Sequence, residues 1–312
     1  MDVSSRAKER FCKDCNIPLR LFQEPYFTDR LKLYDRFYGT LGKWDLFQSE
    51  LAKYNCEQNY FEEYNRIKDA AIFFIKDSGK YNDFNNEDMN KFKLENSNLS
   101  NSDIFKPTND GKRFVSIDMK KANFSSLNHY SSDIFRANTW EEFIGKFTQN
   151  KHIINSKYIR QVILGNCSPK RQVTYEKYLM DGILSFVAKY YFSISEVVYF
   201  SNDEVVFDVT DYVTSTGIIE ICYYLQNTLN EKCVVPTKVE LFKLHKINGT
   251  NGFYKDIFSA TGENTIEFKC LNGYTLPFVM RKFIGEEVVE SDKVFYHEGL
   301  LSKFIEIPKI VA

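Results

Sequence analysis

The chain has 312 residues, 43% of them hydrophobic and 27% charged, and a net charge of −1. That length holds one large domain or two ordinary ones. The near-neutral balance excludes a global basic field, so any polyanion binding has to use local clusters. No apolar run reaches the roughly 18 residues needed to span a bilayer. The opening MDVSSRAKERF lacks the apolar core of a signal peptide. The expectation is a cytoplasmic protein with no membrane partner.

In chain order, Cys12-Lys-Asp-Cys15 comes first. It is the one close pair among seven scattered cysteines, and the four histidines stand alone. A structural zinc site needs four ligands, so a plain pair of reduced thiols is the expected reading over zinc. Helices follow across the N-terminal region 1–80. PYFTDRLKLYDRFYGTL offers Thr28 as an N-cap and apolar residues at helical spacing, and QNYFEEYNRIKDAAIFFIKDSG repeats the pattern. Residues 81–112 are rich in Asn, Asp and Ser and have no period, which reads as a polar linker.

Beyond the linker the pattern changes. RFVSIDM (113–119) alternates like a strand that ends near Asp118. Helices are expected near 139–149, capped by Thr139, and near 155–165. A longer one starts at Ser168-Pro169, with Ser168 as N-cap and Pro169 as the first helical residue. VVYFSNDEVVFDV (197–209) reads as a hairpin with Asp203 and Glu204 at its tip. Another helix and the strand TKVELFKLHKI complete the run. From 113 to 247 the order is β-α-β-β-α-β, the order of a ferredoxin-like sheet. That topology sets the first strand beside the hairpin in the middle of the sheet and brings Asp118 toward Asp203. Residues 248–312, with turns at NGTNG and LNGY, read as a small C-terminal antiparallel β region. The fold class is therefore α+β.

Carboxylates converging at a sheet end form a hard-oxygen site suited to magnesium or manganese. Two such ions about 4 Å apart can activate a hydroxyl and stabilise a leaving pyrophosphate. Lys170 and Arg171 lie in the first turn after Ser168-Pro169, where cations oppose the helix dipole unless an anion binds there. Arg160, upstream, can join them.

The segment VSIDMKKANFSSL, the basic helix and the hairpin NDEVVF together resemble the motifs of polymerase palm domains. The hairpin is nearest to that of template-dependent polymerases similar to bacterial DNA polymerase I, which carry His where this chain has Asn202. The resemblance covers roughly 113–247 and implies a palm-like core with a small fingers insertion and a thumb-like N-terminal region. It implies that Asp118 and Asp203 hold two Mg2+ or Mn2+ ions, with Glu204 as an accessory carboxylate. Arg160, Lys170 and Arg171 would then grip a nucleoside triphosphate, and Asn123 and Phe124 would sit under the nucleotide sugar. The expected activity is nucleotidyl transfer to the 3′ end of a nucleic-acid primer on a template, with other replication or transcription proteins as partners. The Asn- and Lys-rich composition fits an AT-rich genome, viral or bacterial, and a viral protein in a host cell is one expectation. Two departures stand beside the resemblance: the basic helix lacks the family's Lys-to-Tyr-Gly spacing, and some 65 residues follow the last palm strand.

The same residues admit plainer readings. Asp203-Glu204 also suits an ordinary two-residue hairpin turn, and the Tyr and Phe stripes of 26–75 read as core packing. The alternative function is a non-catalytic nucleic-acid-binding module, or a viral structural or interaction protein, built on a ferredoxin-like core.

Overall fold

The computed structural model describes residues 3–99, 101–212, 215–258 and 264–310. Its centre is a six-stranded antiparallel sheet of order β2-β3-β1-β4-β5-β6. The strands are β1 (Arg113–Met119), β2 (Val197–Phe200), β3 (Glu204–Asp208), β4 (Thr237–Lys246), β5 (Phe253–Ile257) and β6 (Thr265–Lys269). The first four stand in the order that a β-α-β-β-α-β unit gives. β1 runs between β3 and β4, and β2 forms the sheet edge rather than a middle strand.

Alternation along β1 sorts the two faces of the sheet. Val115, Ile117 and Met119 point into the main core, where they meet Val205 and Phe207 of β3 and Leu241 of β4. Three helices close this side: α6 (Ala122–Tyr130), α10 (Pro169–Tyr190) and α11 (Ser215–Lys232). Phe114, Ser116 and Asp118 point the other way. There a second, smaller apolar cluster forms from Phe114, Val206, Phe242, Leu244 and Phe253. No helix covers it. Ile104 and Phe105, from the stretch read as a linker, pack against it instead.

The N-terminal helices are α1 (Ser5–Asp14), α2 (Tyr26–Tyr38), α3 (Thr40–Leu51), α4 (Glu57–Lys76) and α5 (Gly79–Asn86). They pack on the helices before α10, namely α7 (Trp140–Gly145), α8 (Lys151–Ile154) and α9 (Lys157–Gly165), and share the main core with the sheet. A buried polar knot ties them together. The Asp14 carboxylate accepts from Tyr64 Oη at 2.8 Å and from Ser156 Oγ at 2.6 Å, and its other oxygen lies 3.1 Å from His152 Nε2. His152, expected to stand alone, therefore has a buried partner in Asp14 of α1. The linker residues are also fastened. Asp181 of α10 accepts from the backbone N–H groups of Glu95 and Asn96 at 2.6 and 3.2 Å.

The C-terminal residues do not form a β region of their own, because β5 and β6 extend the main sheet. After them come α12 (Leu276–Ile284), which the turn-rich sequence around it concealed, and the hairpin β7 (Val294–His297) and β8 (Leu300–Lys303). This segment is locked to α2. Buried Arg30 donates to Asp292 Oδ1 at 2.7 Å and to three backbone carbonyls, and Arg281 holds the other oxygen of Asp292 at 2.9 Å. No described helix is long and apolar enough to cross a membrane.

Two expected caps differ. α2 begins at Tyr26, with Thr28 already inside its first turn and its N–H bound by Glu24. Ser168 does precede Pro169, but in the left-handed region (φ 56°), with its hydroxyl on Asn85 and Tyr81 rather than on the helix N-terminus. Tertiary partners outcompete the local cap there.

Candidate functional site

β1 and the β2–β3 hairpin end together. Asp118 lies directly opposite Glu204 of β3 on one side and Lys238 of β4 on the other. In an antiparallel pair directly opposed residues share a face, so both carboxylates point to the side that carries no helix. The next residue, Met119, donates its N–H to the carbonyl of Asp203 at 2.8 Å and stitches the strand end to the hairpin tip. The tip is shaped by Ser201. Its N–H donates to the Glu204 carbonyl, and its hydroxyl accepts from Glu204 N–H at 3.0 Å and donates to Asp203 Oδ1 at 3.2 Å.

On the helical side the tip has a further carboxylate neighbour. Asn202 Nδ2 donates to Glu176 Oε2 of α10 at 2.6 Å, and Glu176 is only 4% exposed. Burial pushes the Glu176 carboxyl up to about 7, the hydrogen bond from Asn202 opposes the shift, and the Asp203 charge adds to it. Asp118 is also pushed up to about 7, first by burial and then by the charges of Glu204, Asp203 and Glu240, against the pull of Lys238. Glu204 is raised by burial, with Lys255 and Lys269 acting the other way. The carboxyls thus crowd one another, and each resists ionisation while the site holds no added cation.

A cleft of about 680 Å³ opens over this face of the sheet. Asp118, Glu204, Lys238 and Lys255 line it, and Asp103 and Phe105 of the linker form its far wall. Ser116, on the same face of β1 as Asp118, is buried with a hydroxyl that has no hydrogen-bond partner. Among the described residues, no three His, Cys, Asp or Glu side chains are grouped to hold a metal ion by themselves. The donors present are hard carboxylate oxygens, which suit an ion that keeps waters and completes its shell with substrate oxygens.

The expected substrate residues are scattered. Lys170 is exposed on the first turn of α10. Arg171 is already engaged: it donates to the carbonyls of Phe84 and Glu87, and its guanidinium lies 5.9 Å from the centre of the Phe84 ring. That corrects its expected role, because a guanidinium clamping two carbonyls fastens α5 to α10. Arg160 sits half-buried near Glu141, whose carboxylate is bound by Lys121 at 2.6 Å. Its Nε is buried without a partner. Asn123 is half-buried at the start of α6, whereas Phe124 is 4% exposed and packs on Phe135 with ring centres 4.7 Å apart. Phe124 is therefore a core residue and not a platform for a sugar. Burial pushes the Cys15 thiol up to about 12 and the Cys12 thiol higher still, which leaves both protonated.

Glu176 and Lys255 were missed, although each carried a signal. Gln172, Glu176 and Met180 recur every fourth residue and all are buried, so Glu176 sits on an inward stripe beside the aromatic one. Lys255 alternates with Phe253 and Ile257 in a strand whose inward face is otherwise apolar.

In comparison with known proteins, the chain matches no family model, and no curated protein or solved structure matches it.

Proposed function

We propose that the chain is a metal-dependent nucleotidyltransferase with a palm-type core, which adds nucleotides to the 3′ end of a nucleic acid. The observation that carries this reading is the register that sets Asp118 against Glu204 and ties its strand end to Asp203 at the hairpin tip. Bound there by Asp118 and Asp203, two Mg2+ or Mn2+ ions would lower the pKa of the attacking hydroxyl and neutralise the departing pyrophosphate.

On this reading the chain's own residues divide the work. Asp118 and Asp203 orient the acceptor end and the α-phosphate toward each other. Glu204 adds a carboxylate on the same face as Asp118, and Glu176 fixes the hairpin tip through Asn202. The 3′-oxygen forms a bond to the α-phosphorus, the bond to the β-phosphate oxygen breaks, and pyrophosphate leaves while the hydroxyl proton passes to solvent. Lys170 remains the expected residue for the triphosphate on α10, since Arg171 is engaged elsewhere.

The test is primer extension with each set of triphosphates, in magnesium and in manganese, for wild type and Asp203→Asn. Extension by wild type and none by the variant supports the reading. No extension by wild type on any template, or extension undiminished in the variant, overturns it and favours a non-catalytic binding module.

A further inference from the structure

Three lysines reach the cleft over the sheet, and two of them are already paired. Lys238 bonds Glu240, and Lys269 bonds Glu267 at 2.8 Å. Lys255 differs. It is 5% exposed and lies on β5 between Leu244 of β4 and Glu267 of β6. Its ammonium sits 4.2 Å from the centre of the Phe242 ring. Among the described residues it donates no hydrogen bond and forms no ion pair, yet it lines the same cleft as Asp118 and Glu204. A lysine buried along its stem, with no hydrogen-bonding acceptor for its ammonium, keeps a donor free for a ligand in the cleft. The ring face and the more distant carboxylates hold the charge meanwhile. The Ser116 hydroxyl, on the same face of the sheet as Asp118, is also buried and unpartnered.

We propose that the cleft over the open sheet face is a phosphate site and that Lys255 is the residue that anchors the phosphate. This rests on reading Asp118 and Asp203 as the centre of nucleotidyl transfer. Once cations neutralise those carboxylates, the negative field that balances Lys255 is gone, and its ammonium is left for an anion. A volume of about 680 Å³ suits a nucleotide-sized group. Both the carboxylates and the lysine match a ligand that brings divalent cations and phosphate oxygens together. Such a phosphate comes either from a nucleoside triphosphate or from the phosphodiester of a strand end. Either source adds a phosphate contact on β5 of the sheet, beside the one expected from Lys170 on α10.

The experiment is titration calorimetry on the full chain with manganese, using ATP and a short single-stranded oligonucleotide as separate probes. The proteins are wild type, Lys255→Gln and Lys255→Arg, each checked for folding by thermal melting. Lys255→Met, which keeps the packing on Phe242, replaces Lys255→Gln where the latter does not fold. The expected result is roughly ten- to hundredfold weaker binding of one probe in the neutral variant, with Lys255→Arg within a few fold of wild type. Loss with ATP identifies the nucleotide as the source, and loss with the oligonucleotide identifies the strand. Unchanged affinity for both probes, no binding of either by wild type, or equal loss in Lys255→Arg and the neutral variant overturns the proposal. Lys255-dependent binding without any primer extension leaves this site standing and removes the proposed activity. Extension at the wild-type KM for both substrates in the neutral variant does the reverse.

Discussion

Asp14 and Asp118 are both held largely out of water, and their surroundings are opposite. Asp14 meets donors: Tyr64, Ser156 and His152 converge on its two oxygens from three helices. Asp118 meets acceptors: Glu204 stands across the strand, Asp203 and Glu240 are near, and the facing Lys238 is bonded to Glu240. The first cluster is complete within the chain and serves to hold helices together. The second is left electrically incomplete, which is costly for a fold and useful for a site that receives cations. Burial alone therefore does not separate a structural cluster from a candidate site, whereas the match between donors and acceptors does.

The largest expected effect breaks the comparison at its functional side. Asp118→Asn and Asp203→Asn should each reduce primer extension to background, a loss of roughly 10²–10³-fold or more, while circular dichroism stays that of the wild type. Next in size is the structural side. Asp14→Ala strands three buried partners and should cost about 3–5 kcal/mol in urea denaturation. An Asp14→Ala protein as stable as wild type would show that the knot holds nothing together.

A smaller effect sharpens the contrast because its sign differs. In the absence of divalent ions Asp118→Asn should raise the urea midpoint, since it removes a crowded carboxylate, whereas Asp14→Asn lowers it. A lowered midpoint for both would mean that the two clusters are alike. The pH dependence is smaller again. Asp118 and Glu176 have folded-state pKa values pushed up to about 7, so the folded state holds their protons more tightly than the unfolded chain does. Their contribution is most favourable below the ordinary carboxylate range near 4, falls as pH rises toward about 7, and is flat above. Thermal melts from pH 5 to pH 8 should therefore show a declining midpoint that manganese restores at pH 8 and leaves nearly unchanged at pH 5. Glu176→Gln, which can still accept from Asn202, should flatten that decline. A profile identical to wild type in this variant would remove Glu176 as a contributor.

Much of the fold was legible. β1 matches its alternating stretch from Arg113 to Met119, Thr139 caps α7 through Glu142 N–H, and Pro169 opens α10. These features depend on neighbours within one turn or one pleat, so a local pattern encodes them. The β-α-β-β-α-β order was readable for the same reason, as a sum of local elements. What escaped depends on distant partners. Arg171 looked available for phosphate until α5 folded over it, and Phe124 was expected under a nucleotide sugar, whereas Phe135 and Trp140 pack on it. β5 and β6 looked like a separate region because nothing in their own residues names the strand they join.

By itself the sequence determined where most of the helices and strands as far as β4 lie and that Asp118 and the Asp203-Glu204 pair fall at the ends of strands. Periodicity and capping act over a few residues and need no partner to be read. Only the tertiary structure decided that Asp118 faces Glu204 and Lys238, that Glu176 reaches the hairpin tip, and that Lys255 enters the cleft. Strand register is set by packing the main core on one face of the sheet, and a shift of one residue would turn Asp118, Glu204 or Lys255 to the other side.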